Sequence, residues 1–199
     1  MTIDHIQGEA PDSAAMALLE TRLSERCNKP GGITVQLGNQ IPPQGVTTWD
    51  LNGVRALEDQ TRTAYATGNT AVLYLLYVNG GYTGDTASSK ILGISYRGSS
   101  IVIFKDNITS SAVVGTLSSS SIEQAVLVHE AGHNLGLVNN GAPMQTNHLD
   151  AGGHGNHDSS TRCVMYYQIE SSLISQLLTG VPTQYDTPCI QDLQALGGK

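Results

Sequence analysis

The stretch His129-Glu130-Ala131-Gly132-His133-Asn134-Leu135-Gly136 closes a strongly apolar run, and the rest of the chain is read outward from it. Helical residues four apart lie on one face, so His129 and His133 can hold one zinc ion between them. Glu130 sits one step round the helix, close enough to act on water held at such an ion. A capping box of Ser120 and Glu123 is expected to start the helix, with residues 118–121 as the polar loop leading in. Ile122, Ala125, Val126, Leu127 and Val128 make it apolar enough to be largely buried. A buried His-Glu-His set without a partner is costly, which favours a metal.

The 199 residues suffice for one domain, or two small lobes sharing a cleft, with a sizeable core. A formal net charge of -7 argues against nucleic acid and anionic membranes as partners. The longest apolar stretch, residues 71–78, is of strand length, so no membrane span is expected. Residues 1–9 are polar and lack the apolar region of a signal peptide, although removal of an export signal would leave the same picture. None of the three cysteines, Cys27, Cys163 and Cys189, sits in a CxxC pair, which argues against a cysteine zinc site. Cys163 and Cys189 could meet as a disulfide, Cys27 could substitute for either, and three thiols are equally allowed.

In chain order, residues 14–26 carry Ala, Met and Leu at helical spacing, and 33–37 alternate as a short strand. Residues 39–47 read as a loop, and a second helix capped by Asp50 runs to about Tyr65. Residues 71–78 read as a buried strand, 81–90 as a loop, and 91–96 and 101–104 as strands joined by a turn. Residues 106–121 read as a polar connection, 139–160 as irregular, 169–178 as a helix, and 188–196 as a last short helix. This order describes a mixed α/β (α+β) domain with the metal helix under a sheet. Its upper part spans about residues 1–137 and its irregular lower part about 138–199.

At this point the chain resembles the metzincin metallopeptidases, whose motif is HExxHxxGxxH followed by a tight Met-turn. His129, Glu130, His133 and Gly136 match that motif. Gly136 allows the left-handed residue that ends the helix and sends the chain back toward the metal. Met165, in Cys163-Val164-Met165-Tyr166-Tyr167, matches the Met-turn. Tyr167 stands where astacins and serralysins carry a tyrosine that reaches the zinc site. The resemblance implies a twisted mixed sheet over an active-site helix, and secretion to an extracellular or periplasmic compartment.

The pattern departs at the third ligand, where the chain has Asn139, whose amide is a poor zinc ligand beside imidazole. An inserted loop, of the kind leishmanolysins tolerate, would bring the ligand later, from His148, Asp150, His154 or His157. His157 precedes Met165 by eight residues, the spacing found in matrixins, and is the first choice, with His148 second. The remaining histidines are solvated loop residues, or ligands to a second ion with Asp150 and Asp158.

The resemblance therefore implies a zinc-dependent endopeptidase acting on peptide or protein substrates. His129, His133 and His157 hold Zn2+, Glu130 is the general base, and Tyr167 adds a hydrogen bond to the oxyanion. The substrate would lie extended along a sheet edge, for which residues 101–104 are the candidate. Two alternatives stay open. A zinc-stabilised binding module would need no Glu130. A gluzincin-type peptidase would use Glu170 as its ligand and leave Met165 unexplained.

Overall fold

Two five-residue runs, YLLYV and SIVIF, are buried along their whole length, which is the signature of central strands covered on both faces. The computed structural model describes residues 1–114, 117–177 and 180–199. Its elements open with β1 (Thr2–Ile6), α1 (Ser13–Arg26), β2 (Gln36–Ile41), β3 (Thr48–Trp49) and α2 (Leu51–Thr61). They continue with β4 (Tyr74–Val78), β5 (Gly81–Tyr82), β6 (Gly93–Tyr96), β7 (Ser100–Phe104) and α3 (Lys105–Val114). After α4 (Ser119–Asn134) come two 3-10 turns, Tyr167–Glu170 and Ser172–Gln176, and finally α5 (Thr187–Ala195).

The main sheet has the order β2-β1-β4-β7-β6. Its first four strands run parallel, and β6 pairs antiparallel with β7. Alternate side chains of these strands go to opposite faces. Ile3, Leu75, Tyr77, Ile101 and Ile103 join a core with α1 and α4, whereas Ile6, Tyr74, Leu76, Val102 and Phe104 pack with Val54 and Leu57 of α2. The region after residue 137 contributes Cys163, Val164, Met165, Tyr185 and Cys189 to the α1/α4 core. Among the described residues no helix is long and apolar enough to cross a membrane.

Several expectations shift for identifiable reasons. β1, in the polar opening stretch, is an interior strand because its buried Asp4 is satisfied: the carboxylate accepts from Tyr74 Oη at 2.9 Å and the Asn39 amide at 2.6 Å. β2 starts at Gln36 rather than residue 33; as an edge strand exposed except at Ile41, it is set by backbone pairing to β1, which side-chain pattern does not report. The second helix is capped by Asp50 and ends at Thr61. The expected loops at 39–47 and 81–90 give residues to β2 and β5. Within residues 106–121, of which 115 and 116 lie outside the described residues, most of α3 forms; the hydroxyls of Ser110 and Ser111 donate back to the Asn107 carbonyl, so a helix hides in a loop-like composition. The expected helix at 169–178, whose Leu178 lies outside the described residues, is two 3-10 turns broken at Ser171, which bridges to Ile91.

The start of α4 differs as well. Ser118, not Ser120, is the N-cap, accepting from the Ser121 amide at 3.1 Å. Glu123 is used elsewhere: its buried carboxylate accepts from the Asp12 amide at 2.8 Å and from Lys105 Nζ at 2.6 Å. Asp12 in turn caps α1 and accepts from Ser120 Oγ at 3.0 Å. One carboxylate thus ties the N-termini of α1, α3 and α4 together. Replacing Glu123 by Ala leaves a half-buried amide and a half-buried ammonium without their acceptor. We expect a loss of about 2–4 kcal/mol in urea unfolding, with Ser120→Ala costing about 1 kcal/mol or less. Equal small losses for both would mean that the junction is not held by Glu123.

Candidate metal centre and cleft

Helix α4 carries His129, Glu130 and His133 in its last two turns, with His129 and Glu130 fully buried. The helix ends because Gly136 takes φ +87°, and the Leu137 amide then donates to the Gly132 carbonyl at 3.0 Å. A side chain at position 136 would also sit 2.8 Å from the Ala142 backbone nitrogen, so both conformation and space require glycine. Val138 and Asn139 follow in the left-handed region as well, and Asn139 is exposed.

The loop returns His157 to this helix. Its ring lies 5.1 Å from that of His129, stacked, and 5.0 Å from that of His133, edge-on. His129 Nε2 and His133 Nε2 are 3.1 Å apart, and His157 Nε2 is 3.4 Å from Glu170 Oε2. Ligand atoms of these four residues all lie within 4.8 Å of one another. Two tautomers are set from behind: His129 Nδ1 donates to the Val164 carbonyl at 2.7 Å, and His157 Nδ1 donates to the His154 carbonyl. Each Nε2 is therefore left with its lone pair toward the others.

Burial, then the neighbouring imidazoles, pulls His129 well below its ordinary pKa, and the same causes bring His133 down to about 4. Both are neutral at pH 7, the form that binds metal. For His157 burial acts downward but the Glu170 carboxylate outweighs it, leaving a raised pKa. Burial pushes Glu130 well up, the charge of Glu170 adds to this, and a backbone N–H of Ser95 opposes it. His157 Nε2 and Glu130 Oε1 are buried without a hydrogen-bond partner. An unpartnered imidazole nitrogen amid two further imidazoles and a carboxylate is what a zinc-binding set would look like, and the donor set fits zinc.

Other sequence candidates go elsewhere. His154 is exposed, bonded to Asp150, and stacked on the Tyr167 ring at a 3.7 Å centroid distance. Tyr167 is thereby held by His154, and it does not line the cleft beside Glu130. His148 is buried between Asp158 and Asp192 Oδ2, the latter at 2.9 Å, so it ties the loop to α5. With Asp158, Asp186 and Cys189 it forms a second close-set group of potential ligands. Cys163 and Cys189 are buried thiols with sulfurs 3.6 Å apart, and Cys27 is half-buried and free. Met165 lies directly beneath α4; a Cβ on Gly132 would come 2.3 Å from its sulfur, so the bare helix position seats the methionine.

The centre opens into a cleft of about 370 Å³ lined by Ile91, Ile94, Ser95, Asn140 and Asn156 as well as Glu130, His133, His157 and Glu170. The free sheet edge beside it is β6 (Gly93–Tyr96), not residues 101–104. The latter form β7, paired on both sides, because the hairpin folds its first strand outward. The more apolar strand of the hairpin is the interior one, so the candidate edge moves from residues 101–104 to β6. Glu170, considered above only as an alternative ligand, and the two amides carried no spacing signal that would have placed them here.

No protein-family model and no curated protein matches the chain. Among solved structures it is similar to the archaemetzincin of Methanopyrus kandleri, with 17% identity over 98% of this chain and 94% of that one and a TM-score of 0.58. It is also similar to a zinc-dependent peptidase from Methanocorpusculum labreanum, with 12% identity over 97% of this chain and 100% of that one and a TM-score of 0.57. At such identities the likeness is one of fold, and the mixed α/β architecture is the archaemetzincin-like one.

The His148 cluster generates a pH prediction. Both ring nitrogens face carboxylates, so both donate and the ring is an imidazolium. Burial lowers its pKa, but the hydrogen bonds to Asp158 and Asp192 more than compensate, and the net direction is upward. A raised folded-state pKa means stabilisation fully present below the unfolded value of about 6.5 and lost as pH rises through the folded value. Chemical denaturation across pH 5.5–9 should show the wild type's advantage over His148→Gln shrinking as pH rises. A constant difference would contradict the charged cluster.

Proposed function

We propose that this chain is a zinc-dependent endopeptidase. The observation that carries the reading is the convergence of His129, His133 and His157 beside the buried, unpartnered carboxyl oxygen of Glu130, at the free edge of β6. The fold it shares with the two archaeal structures supports the same class. Zinc, when bound, supplies Lewis-acid chemistry: it polarises a carbonyl oxygen and lowers the pKa of water to near neutrality.

The chain's own residues supply the rest. His129, His133 and His157 hold the ion, the first and last oriented by backbone carbonyls. An extended peptide adds to the outer edge of β6, where main-chain pairing holds it irrespective of side chains. Glu130 takes the proton from the attacking water and passes it to the leaving amine. Its raised pKa suits a group that must both accept and release a proton, and a nearby dication draws it back toward the ionised form. Tyr167 has no part in this reading while its ring is stacked on His154. A zinc-stabilised binding module would gain nothing from burying an unpartnered carboxyl against the ligand set, which costs free energy.

Two measurements bear on this. Glu130→Gln should keep stoichiometric zinc while cleavage of unfolded casein falls about a hundredfold to ten-thousandfold. Cleavage within a few-fold of the parent would remove the general-base role. His157→Ala should lose zinc during dialysis against a weak chelator and lose cleavage with it, whereas His154→Ala should retain both. If the His157 variant keeps its metal and activity, the third ligand lies elsewhere.

A further inference from the structure

Glu170 has a position that the reading above does not use. Its carboxylate oxygen stands 3.4 Å from His157 Nε2, yet that nitrogen has no hydrogen-bond partner, so the approach is close without being a hydrogen bond. Ligands of a tetrahedral zinc with bonds of 2.0–2.1 Å are about 3.3 Å apart. The His129–His133 separation of 3.1 Å and the His157–Glu170 separation of 3.4 Å both match such an edge. Among the described residues, His157 is the only ion-pair neighbour of Glu170. The carboxylate is thus held at the centre with no lysine or arginine to explain it.

Glu170 differs from the histidines in freedom. His129 and His157 are buried and fixed from behind, and His133 is half-buried on the rigid last turn of α4. The Glu170 side chain is one-third exposed and rises from a four-residue 3-10 turn at the cleft wall. Its backbone is anchored: the Leu92 amide donates to the Glu170 carbonyl at 2.8 Å, and Ser171 bridges to Ile91. The outer edge leading into β6 is therefore closed at residues 91–92 by this turn and open from Gly93 onward. A peptide added to the open edge would enter the cleft that Glu170 also lines.

We propose that Glu170 is a fourth, exchangeable zinc ligand that closes the centre when no substrate is present and swings aside when a peptide occupies the edge of β6. Four protein ligands make a closed site of the structural kind, and catalysis needs an open position. A carboxylate arm on a short, half-exposed turn reconciles the two. The proposal rests on the zinc-peptidase reading, and it predicts a resting state less reactive than the three histidines alone would give.

Cobalt substitution tests it without relying on turnover. The metal-free chain, Glu170→Gln and Glu170→Ala are each loaded with Co2+, and zinc affinity is measured by competition with a chromophoric chelator. Both variants should show an altered visible d–d spectrum. Zinc affinity should fall about tenfold to a hundredfold, the scale on which even the outer partners of metal ligands act. A simple peptide hydroxamate, which takes the open position, should bind both variants several-fold tighter than wild type and bring all three spectra together. Unchanged spectra and zinc affinity in the variants would overturn the proposal while leaving the three-histidine site standing. Weaker hydroxamate binding in both variants would also overturn it, by making Glu170 a support for substrate rather than its competitor. If the wild-type chain takes up neither metal, the zinc-peptidase reading itself fails, and this inference with it.

Discussion

The buried hydrogen bond from His129 Nδ1 to the Val164 carbonyl is the contact on which the centre depends. It holds one tautomer, so that Nε2 faces His133 and His157 rather than the core. It also joins α4 to the segment carrying Met165, whose sulfur fills the space left by the missing side chain of Gly132. Tyr185 adds a second tie from below, donating from its hydroxyl to the Val128 carbonyl at 2.8 Å. A neutral imidazole in a dry core has little freedom once one nitrogen is spoken for, because turning the ring would strand a donor against a hydrocarbon wall.

The third imidazole is held by different means. The loop from 139 to 160 has little apolar surface, and polar bonds hold it where packing cannot. The Asp150 amide donates to the His157 carbonyl and the Asp158 amide to the Met165 carbonyl, both at 2.8 Å. Next to His157, the Asp158 carboxylate is buried and would be unfavourable alone; the His148 imidazolium pairs it with Asp192 of α5. The position of His157 is thus coupled to a charge cluster in which the chain supplies its own cation. A loop without a core can be rigid in this way, provided each buried polar group finds its partner.

The sheet supplies the other half of the site. Parallel strands need crossovers, so α1, between β1 and β2, covers one face and α2, between β2 and β4, the other; α4 follows the last strand and packs beside α1. Among the described residues the one antiparallel strand of the main sheet, β6, enters through a hairpin and ends as the outer edge beside Glu130. The cleft is therefore a consequence of where the hairpin stops, and Glu170 stands at the point where the edge closes.

Much of this was legible from the residues. The fall of apolar residues along α1, α2, α4, β4 and the hairpin marks burial, and burial is a local property of side chains read at a helical or strand period. The HExxHxxG spacing marks one helical face and the turn that ends it, since 3.6 residues per turn and a positive φ are local facts too. By itself the sequence determined the fold class and the pairing of His129 with His133 beside Glu130. The tertiary structure alone decided what depends on partners distant in the chain: that polar β1 is an interior strand, that Glu123 serves three helices instead of a cap, and that β6 rather than β7 is the edge. Among the late histidines, spacing to Met165 put His157 first, and the contacts of the loop are what bring it to the helix while His148 and His154 pair with aspartates elsewhere. The reason is physical: a hydrogen bond or ion pair satisfies a buried polar group whatever the sequence distance between its ends, and composition carries no record of that distance.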